Sequence, residues 1–179
     1  MRLVSVAAFL LALAIAGTAL AAPAATKDPS QLILARTDFP AGAKWTWANM
    51  PANYIQALAA SSIKAKAAYY HVQIGSALRG QTVDGLVNTT GSAAQAAKLF
   101  RLSTAEGEEF GKNGTPIRLP SFGSKQSAFY TARVPKIELL VLKNRMVWLV
   151  ETAVGGSKAK LVAEIKKYAA KQQARIGAG

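Results

Sequence analysis

The stretch from Leu139 to Val150 constrains this chain most. Ile137, Leu139 and Val141, then Met146, Trp148 and Val150, follow strand alternation, while Val147, Leu149 and Ala153 are apolar in the opposite phase. A strand that is apolar on both faces has to be buried on both. The two strands flanking the tight turn at Lys143-Asn144-Arg145 are therefore expected at the centre of a sheet covered from two sides.

The rest of the chain supplies partners for that pair. Tyr70, Val72 and Ile74 alternate with Tyr69, His71 and Gln73, the period of a half-buried strand. Residues 81–89 read as a second strand, joined to the first through Gly75-Ser76 and Gly80, with Gly85 marking a bulge where it breaks the alternation. Trp45-Thr46-Trp47 is extended, and its two indoles fall on one side. Ile117 and Leu119, then Ala128, Tyr130, Ala132 and Val134, return to β spacing.

Helical spacing appears in four places. Residues 31–36 give one or two turns, stopped by Asp38-Phe39-Pro40-Ala41-Gly42. Residues 51–66 carry Tyr54, Ile55, Leu58 and Ala59 on one side. Ser92 with Gln95 opens a helix as a capping box and places Ala93, Ala96, Ala97 and Phe100 on one face. Leu161, Ile165, Tyr168 or Ala169, Gln172 and Ile176 trace the inner face of the last helix, after the Gly155-Gly156-Ser157 turn. The order, roughly α-β-β-α-β-β-β-α, predicts an α+β fold with a mainly antiparallel sheet and helices packed against it.

Met1-Arg2 followed by an almost unbroken apolar run from Leu3 to Leu20 and the small residues Ala19, Ala21 and Ala22 reads as a signal peptide over 1–21, cleaved near Ala21. Residues 22–30 form a flexible leader, and 31–179 a single domain, within the size one hydrophobic core supports. The destination is secreted or extracytoplasmic, in the periplasm or cell envelope. The absence of cysteine excludes thiol catalysis, cysteine-zinc sites and lipid attachment through cysteine. With 22 Lys and Arg against 9 acids, the formal net charge of +13 favours anionic partners such as a cell-envelope polymer.

Motifs for known chemistry are few. Ser61-Ser62-Ile63-Lys64 and Ser157-Lys158-Ala159-Lys160 match Ser-x-x-Lys but lack its companion motifs. There is no phosphate loop, dinucleotide fingerprint or nucleophile elbow, so no catalytic residue, metal site or cofactor is expected. His71 is the only histidine and has no orienting carboxylate close in sequence. Asp84, Glu138 and Glu151 sit on strands and would support acid–base hydrolysis only if they, or His71, met in a cleft. Glu106, Glu108 and Glu109 read as a solvated helix end.

Two binding surfaces are candidates. Trp45, Trp47, Tyr69, Tyr70 and Trp148 would line a pocket for a small apolar ligand if exposed together. Lys158, Lys160, Lys166, Lys167, Lys171 and Arg175, against the single Glu164, make the last helix a candidate surface for an anionic polymer or membrane.

The segment Leu34-Ala35-Arg36-Thr37-Asp38-Phe39-Pro40-Ala41-Gly42 resembles the start of a loosely defined group of secreted bacterial domains that open on Asp-Leu/Phe-Pro-x-Gly. These are similar to the extracellular sensor-type domains of actinobacterial kinases, and the similarity extends through Val83-Asp84-Gly85 and the Lys143-Asn144-Arg145 hairpin. The resemblance implies a compact ligand-binding or interaction module outside the cytoplasm. An exported, non-enzymatic binding or sensor-like module is the expected function; polyanion or membrane attachment through the last helix, and then hydrolysis, are the alternatives.

Overall fold

The computed structural model describes residues 27–76, 80–105, 114–153 and 157–177. The expected signal peptide and the Glu106, Glu108 and Glu109 cluster lie outside the described residues. The fold is α+β, as the alternation predicts, around one seven-stranded sheet. Its strands are β1 (Lys44–Asn49), β2 (Ala65–Ile74), β3 (Gln81–Thr90), β4 (Gly114–Pro116), β5 (Lys125–Thr131), β6 (Lys136–Lys143) and β7 (Met146–Ala153). The order β1-β2-β3-β7-β6-β5-β4 splits into two sequential meanders, and every pair is antiparallel. The β3–β7 pairing joins them.

β6 and β7 lie inside the sheet, and residues 137–142 of β6 are all buried, as two-sided apolarity requires. On one face pack α1 (Pro29–Leu32) and α4 (Lys158–Gly177), where Leu161, Ile165, Tyr168, Ala169, Gln172 and Ile176 turn inward. That face buries Tyr70, Val72, Val83, Leu139, Trp148 and Val150, each large apolar side chain contributing about 1.5–3 kcal/mol. On the other face, α2 (Ala52–Ala60) and α3 (Ala93–Ala105) bring Leu58, Ala96, Leu99 and Phe100 onto Leu140, Leu142 and Val147. Tyr54 also donates its hydroxyl to buried Asn88 at 3.0 Å.

Several boundaries differ from expectation, for local reasons. The first helix spans only Pro29–Leu32, beginning two residues earlier than expected, in the stretch read as leader, and a 3-10 turn follows at Arg36–Asp38. α2 stops at Ala60 because Ser62 takes a left-handed backbone at φ 57°. There Ser62 N–H donates to Ala59 O and Ile63 N–H to Leu58 O, and Ile63 packs in the same cluster as Leu58, a Schellman ending. β1 and β4 extend the expected strand count at the two sheet edges. Gly85 is not a bulge, since the β2–β3 register runs unbroken from Ala65↔Thr90 to Ile74↔Gln81. A Cβ on Gly85 would come within 2.3 Å of the Tyr70 ring, so the glycine makes room for the tyrosine.

Candidate functional site

Strand alternation places one row of side chains across the α2/α3 face: Thr46, His71, Asp84, Glu151, Glu138 and Phe129, on β1, β2, β3, β7, β6 and β5. The neighbouring row runs Leu86, Leu149 and Leu140, of which Leu149 and Leu140 belong to the apolar patch under the helices. The charged row lies beyond it. Side-chain exposure falls along the row from 46% at His71 and 38% at Asp84 to 23% at Glu151 and 11% at Glu138.

Contacts link the row into two groups. His71 Nδ1 lies 2.6 Å from Asp84 Oδ1, which leaves Nε2 as the imidazole's outward-facing nitrogen. Lys136, one pleat further along β6 on the same face, places Nζ 3.0 Å from Glu138 and 3.3 Å from Glu151. Asp84 and Glu151 are direct cross-strand partners, as are Glu151 and Glu138. Like charges placed opposite one another across strands disfavour folding. Three carboxylates on three adjacent strands are therefore not explained by stability.

The electrostatics follow the burial. Burial pushes the Asp84 carboxyl above the usual carboxylate range; the His71 hydrogen bond opposes this and the Glu151 charge adds to it. Burial likewise holds Glu138 up, with Lys136 opposing and Glu151 reinforcing. Lys136 would be lowered by burial, but Glu151 and Glu138 outweigh that and keep it above its ordinary value. The row can hold and exchange protons, and it can accept hydrogen bonds from a cation as it does from Lys136. Among the described residues, no group of three or more His, Asp or Glu side chains is arranged to hold a metal ion.

The carboxylate that orients His71 is thus Asp84, remote in sequence and adjacent in space, and the three strand acids do come together. They meet on the α2/α3 face of the sheet, half-exposed at Asp84 and buried at Glu138. Lys136 was not singled out from the sequence.

The five aromatic candidates do not share one pocket. Tyr70 and Trp148 are fully buried core, Trp148 edge-on to Phe122. Trp45 is half-buried, with its indole N–H donating to Leu34 O at 3.1 Å. Trp47 (45% exposed) and Tyr69 (40%) reach solvent, on opposite faces of the sheet, because Trp47 pairs with Tyr70 and Tyr69 with Ala48.

The α4 cations are largely engaged by the protein itself. Arg175 pairs with Asp38 at 2.7 Å, and Lys171 donates to the Asp38 carbonyl. Lys167 lies 3.5 Å from Glu164 and over the Tyr168 ring, and Lys158 sits over the Tyr130 ring. Lys160 and Lys166 are exposed, with no ion pair among the described residues. No described helix is long and apolar enough to cross a membrane.

No family model matches the chain, and no curated protein does. Among solved structures it is similar to the extracellular domain of PknH from Mycobacterium tuberculosis, with 12% sequence identity and a TM-score of 0.44, over 83% of this chain and 98% of that one. No residue role follows from a likeness this distant.

Proposed function

We propose that this protein is an exported, non-enzymatic binding module whose ligand lies on the charged row His71–Asp84–Glu151–Glu138. The observation that carries the reading is the convergence of three carboxylates, from β3, β7 and β6, on a partly open sheet face of a chain with net charge +13. Lys136 indicates the ligand chemistry. Its ammonium bridges Glu138 and Glu151 at the inner end, so a primary ammonium or guanidinium presented from outside is the group that Asp84 and Glu151 suit at the outer end. Calorimetric titration with spermidine tests this. Binding should weaken about tenfold in Asp84→Asn/Glu151→Gln and fall with added salt; equal heats for wild type and variant would refute it.

Hydrolysis is a second reading, favoured by the 2.6 Å His71–Asp84 contact, which is the geometry of an oriented general base. Turnover of an ester or glycoside substrate that is lost in His71→Ala would promote it over binding alone.

A further inference from the structure

The two edges of the sheet differ in kind. β4 is three residues long and closes on Pro116, which has no N–H to offer, so that edge is blunted. β1 is six residues long, and its one charged residue, Lys44, stands at its end. Met50 N–H donates to Ala67 O at 2.9 Å. The alternation of an antiparallel ladder then turns Lys44, Thr46 and Ala48 toward β2, and the N–H and C=O groups of Trp45, Trp47 and Asn49 away from it. No described strand pairs on that side. We propose that β1 is the docking edge for an extended acidic peptide of a partner protein, added antiparallel to it and separate from the cation site at Asp84 and Glu151.

The two faces of β1 set what such a strand carries. Trp47 lies on the α1/α4 face and stays 45% exposed although its cross-strand neighbour Tyr70 is fully buried. An apolar residue added opposite Trp47 would cover it. Lys44 lies on the α2/α3 face, where its row continues as Gln73, Thr82 and Ala153 and holds no acid. On the next row His71 stands between β1 and Asp84. β1 and β2 together carry Lys44, Lys66 and His71 and no carboxylate. Asp38 and Asp28, in the segment that Trp45 ties down through Leu34 O, are held by Arg175 and Ser30. A strand with acidic and apolar residues in alternation therefore complements the edge on both faces, while its main chain pairs with Trp45, Trp47 and Asn49. A second copy would instead bring Lys44, Lys66 and a net charge of +13 toward their like.

The experiment is an amide-shift titration of the protein with the capped peptide Glu-Val-Glu-Val-Glu-Val-Glu. Two comparison peptides are run beside it: one N-methylated at its valines, whose N–H groups would face β1, and one with lysine in place of every glutamate. Saturating shifts at Trp45, Trp47 and Asn49 are expected with the first peptide, and binding about tenfold weaker with each of the others. Lys44→Glu should weaken binding of the first peptide about threefold. Asn49→Pro, which removes an outward N–H and leaves the β1–β2 ladder intact, should weaken it about tenfold. Equal binding of the acidic and lysine peptides, or of the methylated and unmethylated ones, would overturn the proposal. So would shifts at Trp47 and Asn49 that grow with protein concentration in the absence of peptide, which would make the edge an interface between copies of this chain.

Discussion

Tyr70 and Gly85 face each other directly across β2 and β3, and the tyrosine ring occupies the space a Gly85 side chain would need. Its ring carbons lie 2.3 Å from the position of a Cβ at residue 85, and Tyr70 is 1% exposed and packed against Phe39, so it has nowhere to retreat. Gly85→Ala should destabilise the fold by about 1–3 kcal/mol, read as a lower denaturant midpoint with unchanged slope. Gly85→Ala combined with Tyr70→Leu should recover part of the loss.

Asp38 anchors α4 to the N-terminal segment. Its Oδ2 accepts from the Ala35 amide at 2.8 Å and from Arg175 Nη2 and Nε, both at 2.7 Å. Asp38→Ala should cost about 1–3 kcal/mol, and Arg175→Lys less, since it keeps the charge and loses the fork. The groups are partly exposed, so the difference between wild type and Asp38→Ala should shrink in 1 M salt.

The Lys143-Asn144-Arg145 turn is closed by Asn144 at φ 53°, in the left-handed region that asparagine tolerates and β-branched residues do not. Asn144→Gly should be close to neutral and Asn144→Val should cost about 1–2 kcal/mol, measured by thermal unfolding.

The carboxyls of the row carry a pH signature. Side-chain carbon titration should place Asp84 and Glu138 above their ordinary midpoints and Asp28, held by Ser30, below its own. A raised carboxyl binds its proton more tightly in the folded state, so ionising it opposes folding. The contribution of Asp84 and Glu138 should therefore improve as pH falls through their raised midpoints, while that of Asp28 is lost as pH falls through its lowered one. Comparing the pH dependence of stability for wild type and Asp84→Asn isolates the first effect.

Much of this arrangement was present in the turns. A β2–β3 hairpin closed between Gly75 and Gly80 with Ile74 opposite Gln81 puts His71 opposite Asp84, and a two-residue loop at Asn144-Arg145 puts Glu138 opposite Glu151. Both pairs followed from strands and turns legible in the sequence; only the hairpin register was missing. The β3–β7 pairing that brings Asp84 beside Glu151 is not local, and nothing in the pattern of either strand selects the other as partner. The inner face of α4 was legible residue by residue, because its apolar spacing is set by one helix alone. The roles of Trp148 and Tyr70 were not, since composition cannot tell an aromatic core from an aromatic pocket. Nor could charge alone show that Arg175 and Lys171 reach back to Asp38.

The central claim is that the charged row is the ligand surface, and amide-shift mapping with spermidine at neutral pH and low salt tests it most directly. The account predicts saturating shifts centred on His71, Asp84 and Glu151 that disappear in Asp84→Asn/Glu151→Gln. Shifts confined to other surfaces, or unchanged in that variant, would contradict it.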